Sequence, residues 1–226
     1  MTDDLLSYDL VDTVDGIRTT LRHILDARRE HEDTEDPDTP LLFVDAEGNN
    51  LCRHGTVSLL QIHIPQTGLT FIIDISVLGT VAFSTTTPCL SYDLSSTWRT
   101  APFAGLSEGD GISLKSILES PGIIKCFFDV RNDADALYNL HAISMNCVVD
   151  LQVLEVATRP GRRRFLNGLA KAIRTDGSLE PGVLARWLDV KTKGKALFLA
   201  ADAAGSDGVR IPTSFPFGYC KLSDEG

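Results

Sequence analysis

Two carboxylates, Asp45 and Glu47, follow directly on the unbroken apolar run Leu41-Leu42-Phe43-Val44. Such a run is that of a strand buried on both faces. Side chains alternate along a strand, so residues two apart point the same way, and these acids become like charges on one face. That arrangement is unfavourable unless water, a proton or a cation compensates it. Hard oxygen donors at this spacing suit Mg²⁺ or Mn²⁺, which favour carboxylates and keep several waters. Metal-assisted chemistry is therefore the first candidate.

A second group of acids stands in Phe128-Asp129-Val130-Arg131-Asn132-Asp133-Ala134-Asp135, where the apolar stretch Ile123–Val130 gives way to helical spacing over Asn132–Leu140. Acids on a first helical turn are favoured by the macrodipole and by free N–H groups, so capping by Asn132 or Asp133 accounts for them without any chemistry. The residues alone leave capping and ligation both open, with Asp129, Asp133 and Asp135 as the choices. Gln61 and His63 lie in a strand and read as core or edge groups. Arg53 and His54 read as loop residues ahead of phosphate ligands.

The elements that must hold these acids follow from pattern. Val57–Ile64 and Leu69–Ile75 are apolar runs separated by Pro65-Gln66-Thr67-Gly68, a hairpin signal, so the sheet begins as an antiparallel meander. Before it, Tyr8–Val14 is a short strand, and Asp15–Arg29 has Ile17, Leu21, Ile24 and Leu25 at helical spacing. Residues His31–Pro40 are acidic and proline-containing, a solvated linker. After the meander, 83–111 is rich in Ser, Thr, Pro and Gly without periodicity and is expected to be a surface insertion. Ser113–Glu119 is a short helix stopped by Pro121-Gly122, Cys147–Asp150 a strand, and Leu151–Thr158, Phe165–Ile173 and Gly182–Leu188 are helices. No internal repeat is visible. The expectation is an α/β fold with a mixed five- to six-stranded sheet, meander first and parallel strands after, flanked by helices. The expected organisation is 1–40 as an N-terminal strand, helix and linker, 41–200 as the main domain, and 201–226 as an irregular tail that looks truncated.

The stretch FVDAEGNN…GTVSLLQIHIPQTGLTFIIDI resembles the first motif of the DEDD 3′-5′ exonucleases, above all their ribonuclease D branch. The resemblance covers about residues 40–200. It implies a ribonuclease H-like fold, an Asp-x-Glu matched by Asp45 and Glu47, and two further aspartates that complete a site for two divalent metals. The family's second motif is an Asp on the first turn of the helix after a central strand, followed by apolar residues; Asp133 before Ala136-Leu137 fits it. Asp150, in Asp150-Leu151-Gln152, resembles a recurrent supporting aspartate and is expected to cap the following helix.

The third motif departs from the pattern. The family supplies Tyr-x-x-x-Asp, or His-x-x-x-x-Asp, from a late helix. No histidine follows His141, and Tyr219 has Ser223 four places on, with Asp224 one place too late. Four helical residues turn about 400° and return to one face, whereas five turn about 500°. Pro212 and Pro216 also precede the tyrosine. Tyr219 and Asp224 stand as imperfect substitutes. The function implied is hydrolysis of a 3′-terminal phosphodiester by two metals, weakened and with one ion retained; the alternative is a non-catalytic nucleic-acid-binding or adaptor domain.

Net charge is −10, but it is unevenly spread: −8 over residues 1–40, −7 over 41–158 and +5 over 159–226. Arg159, Arg162, Arg163, Arg164, Lys171 and Arg174 carry half of the late positive charge, with Lys191, Lys193 and Lys195 after them. A single-stranded RNA or DNA backbone would choose that region, chiefly Arg162, Arg163, Arg164 and Lys171. Five cysteines without a CxxC spacing give neither a zinc site nor a disulfide framework. No apolar run is long enough for a membrane span and the acidic start lacks a basic leader, so an intracellular setting, cytoplasmic or nuclear, is expected.

Overall fold

A computed structural model describes residues 8–32, 39–88, 110–177 and 179–204. These fall into two compact units, Tyr8–Leu151 and the residues from Gln152 onward.

In the first unit, β1 (Tyr8–Val11), β2 (Leu42–Glu47), β3 (Leu59–Ile64), β4 (Leu69–Asp74), β7 (Lys125–Phe127) and β8 (Val148–Asp150) form one sheet in the order β1-β4-β3-β2-β7-β8. β2, β3 and β4 are the antiparallel meander; β1 lies parallel to β4, β7 to β2 and β8 to β7. Burial shows why the central runs lack polar alternation. Leu59 to Ile62 of β3 and Thr70 to Asp74 of β4 are all buried, as strands covered on both faces must be.

The described residues ahead of β2 belong to this unit. β1 pairs along Tyr8–Val11 with Thr70–Ile73, and the helix α1 (Val14–Glu32) sinks Ile17, Leu21 and Ile24 completely. Each such side chain contributes ~1.5–3 kcal/mol. Thr13 starts α1, its Oγ1 accepting the Gly16 N–H at 3.1 Å.

The stretch read as a surface insertion has ordered ends. Phe83 is buried in the short helix Val81–Ser84, and β5 (Thr86–Pro88) pairs antiparallel with β6 (Gly111–Ser113) in a separate two-stranded sheet; residues 89–109 lie outside the described residues. Three-residue strands are too short to show alternation in sequence. Ser113 then opens the helix Leu114–Glu119 with a reciprocal capping box to Ser116. At its other end the fully buried Lys125 donates from Nζ to the carbonyls of Ile117 (3.2 Å) and Ser120 (2.7 Å). A cation there satisfies carbonyls left over at a helix C-terminus, although burial lowers the Lys125 pKa to about 8.

In the second unit, the helix Leu151–Thr158, entered from the first unit, is followed by Leu169–Asp176 and Pro181–Ala204. Two expectations are corrected. Phe165, Leu166 and Asn167 are loop, because the Phe165 carbonyl accepts from Arg159 (2.9 Å) and the Asn167 carbonyl from Gln152 Nε2 (3.0 Å), which removes both from a helical ladder. The last helix runs well past Leu188, so 201–204, expected as the start of an irregular tail, are its final residues.

Candidate functional site

β2 ends where the acids begin to alternate with buried residues. Val44 and Ala46 are buried, whereas Asp45 and Glu47 are half-buried on the other face. The turn beyond is closed tightly: Ser58 N–H donates to the Glu47 carbonyl at 2.7 Å, and Thr56 N–H to that of Asn49 at 2.9 Å. Gly48 is required here, since a Cβ would stand 1.9 Å from the Thr56 carbonyl oxygen. The strand end is thereby fixed by backbone, and the two carboxylates with it.

Asp133 is brought to the same place from a distant part of the chain. The β2–β7 ladder stops at Phe43 opposite Cys126; beyond it, the Ala46 N–H donates to Asp133 Oδ1 at 3.0 Å. Asp133 thus sits against the backbone between Asp45 and Glu47. It is 5% exposed, and its pKa is pushed up to about 7, first by burial and then by the negative charge of Asp45. Two backbone hydrogen bonds oppose that rise without cancelling it. The helix Arg131–His141 has Val130 at its cap position with no side-chain hydrogen bond, and the Asp133 carboxylate accepts its own first-turn N–H as well as that of Ala46.

The neighbouring acids are otherwise engaged. Asp129 holds a left-handed backbone (φ 63°) and its carboxylate grips Arg131 at 2.6 and 2.9 Å, which lowers its pKa. Asp135 accepts from the Arg53 backbone N–H at 2.7 Å and from the Arg53 guanidinium, holding its own carboxyl below the usual range. Arg53 is thus a brace between the loop after β2 and the helix carrying Asp133. Asp150 supports the site from the strand end of β8. Its carboxylate accepts the N–H groups of Asp129 (2.9 Å) and Val130 (3.2 Å), so it secures the turn into the preceding helix.

One residue gains an interest that its type did not suggest. Gln61 lies directly opposite Asp45 in the β2–β3 register, is 4% exposed, and its Oε1 is buried without a hydrogen-bond partner. Directly opposed residues share a face. The usable signal was the meander register, which sets Gln61 across from Asp45. Like charges at Asp45 and Asp133, the further acid Glu47 and an orphaned carboxamide oxygen form a set of hard donors whose chemistry fits a divalent cation. Among the described residues no three His, Cys, Asp or Glu side chains gather round one point. Such a cation would rest on one or two carboxylates and otherwise on water, which Mg²⁺ tolerates.

The basic candidates belong to the second unit. Arg162, Arg163 and Arg164 are exposed, as is Lys171. Arg159 is withdrawn from that group: its guanidinium clamps Glu155, with side chains only 16% and 9% exposed. Tyr219 and Asp224 lie outside the described residues. No described helix is long and apolar enough to cross a membrane.

Comparison with known proteins bears on the fold. No family model matches the chain. The mouse piRNA biogenesis protein EXD1 is 30% identical over 116 residues, which is 51% of this chain and 15% of that protein. Ribonuclease D of Trypanosoma brucei, in its GMP complex, superposes with a TM-score of 0.57 at 19% identity, covering 92% of this chain and 50% of the enzyme. The same enzyme with RNA U12 gives 0.51 at 21% identity, covering 80% and 52%. The chain thus spans only part of each of these proteins. Its fold is the ribonuclease H-like fold of ribonuclease D-like DEDD exonuclease domains.

Proposed function

We propose that this chain is a divalent-metal-dependent, 3′-5′ exonuclease-like domain that engages the 3′ end of single-stranded RNA or DNA. The observation that carries this reading is Asp133, buried on the Ala46 N–H beside Asp45 with its pKa raised to about 7. A fold gains nothing from burying a second negative charge there; a bound cation would repay it. Asp45 and Asp133 would hold Mg²⁺ or Mn²⁺ directly, with Glu47, on the same strand face as Asp45, acting on the ion through water. When bound, the metal acts as a Lewis acid on a phosphoryl oxygen and acidifies its water.

The chain's own residues do the rest. Asp133 exchanges its proton near neutrality, so it accepts a cation or a proton according to pH. Asp150 and the Arg53–Asp135 brace keep the helix start in register with β2. Arg162, Arg163, Arg164 and Lys171 supply phosphate contacts. Within residues 1–226, Tyr219 and Asp224 miss the spacing of a third motif, and hydrolysis by these residues alone is weak, because a site one carboxylate short holds a second ion poorly. The protein works inside the cell, in cytoplasm or nucleus.

The absence of a three-ligand cluster among the described residues favours a second reading, a non-catalytic nucleic-acid-binding or adaptor domain on the same fold. Single-stranded RNA and DNA, labelled at either end, separate the two. Slow, Mn²⁺-dependent shortening from the 3′ end that Asp45→Ala abolishes supports the exonuclease; binding without shortening supports the adaptor. Neither binding nor shortening contradicts both.

A further inference from the structure

The second unit exposes an aromatic ring amid arginines on a loop that its own side chains hold in place. Phe165 is 75% and Leu166 50% exposed, immediately after Arg162, Arg163 and Arg164. Leaving a phenylalanine in water forfeits the ~1.5–3 kcal/mol that burial would return. Two exposed apolar residues in sequence are also more than scattered surface chance requires. The loop is nonetheless well tied down. Glu155 accepts from Arg159 and from Asn167 Nδ2 (2.9 Å), Arg159 reaches the Phe165 carbonyl at 2.9 Å, and Gln152 holds the Asn167 carbonyl. Gln152 and Asn167 are both buried. The Arg164 guanidinium lies 5.9 Å from the Phe165 ring centroid, within cation–π range.

We infer that Phe165 is a stacking platform for a base of single-stranded nucleic acid, with Arg162, Arg163 and Arg164 gripping the phosphates on either side. A π-face next to a run of cations is the combination that binds single strands without reading sequence. A duplex would hide its base faces, so the ring selects an unpaired strand. An anionic membrane would also attract the arginines, but two apolar side chains on a loop give too little area for insertion. This inference rests on the nucleic-acid reading above and adds a contact outside the carboxylate site.

The test uses the full chain with a uridine dodecamer and an abasic oligonucleotide of equal length, titrated across salt concentrations with a chelator present to prevent cleavage. Phe165→Ala should weaken the uridine oligomer about tenfold, leave the abasic one unchanged and not alter the salt slope; Phe165→Trp should restore binding. Changing Arg162, Arg163 and Arg164 together to Ala should instead weaken both oligomers and reduce the slope by up to about 2. If Phe165→Ala binds the uridine oligomer like the parent, the stacking role is wrong while nucleic-acid binding stands. If neither oligomer binds the parent chain, or if only anionic phosphatidylserine vesicles do, both readings fall.

Discussion

Asp133 and Asp135 stand two residues apart at the start of one helix, and their surroundings are opposite. Asp135 faces the Arg53 guanidinium and a backbone N–H, so its charge is compensated within the protein. Asp133 is buried beside another carboxylate, and its charge is not compensated by any cationic side chain that its pKa reflects. The difference separates a carboxylate whose charge the protein itself compensates from one whose charge burial and a like charge oppose, and the proposed cation site rests on the second.

The largest effect should come from removing the charge at Asp133. Its pKa stands at about 7 against an ordinary 3.8, which corresponds to about 4 kcal/mol at most. The sign follows from linkage: the folded state binds more protons than the unfolded between those values. The contribution is therefore present in full below pH 3.8 and lost as pH rises through about 7. With a chelator present, Asp133→Asn should be the more stable protein at pH 8, and the gap should close towards pH 4. Denaturant titrations at several pH values check this; a constant gap would show that Asp133 is not raised.

A smaller effect tests the support beneath it. Asp150→Ala leaves the N–H groups of Asp129 and Val130 without their acceptor, and each such loss costs ~1–3 kcal/mol. Chemical denaturation should show the loss, and Asp150→Asn should recover much of it. An unchanged midpoint for Asp150→Ala would mean that water replaces the carboxylate fully. Smallest of all is the brace. Arg53 is more than half exposed, so Arg53→Ala should move the melting temperature less than either change above, while loosening the loop after Glu47 enough to raise its amide exchange.

Much of this contrast was legible in the sequence, and the reasons are local. The run before Asp45 and the alternation after it place two acids on one strand face, and the break from apolar strand to helical spacing puts Asp133 on a first turn. The β2–β3–β4 meander is likewise written in the hairpin signal at Pro65–Gly68. What was not legible depends on long-range pairing. Arg53 and Asp135 are 82 positions apart, and nothing in either neighbourhood announces the other. Asp150 sits before a helix, and its spacing does not announce that its oxygens also accept from residues 129 and 130, which the β7–β8 pairing brings alongside. The loop at Phe165 has helical apolar spacing, and side-chain bonds to its carbonyls decide otherwise.

The central claim is that Asp45 and Asp133 are complementary to a divalent cation, and calorimetric titration of Mn²⁺ into the metal-free chain tests it most directly. The parent should bind with an affinity that strengthens from pH 6 to pH 8, as Asp133 loses its proton through about 7, and Asp45→Ala combined with Asp133→Asn should abolish the heat. Equal binding by the parent and the double variant, or none by either at millimolar Mn²⁺, would contradict it.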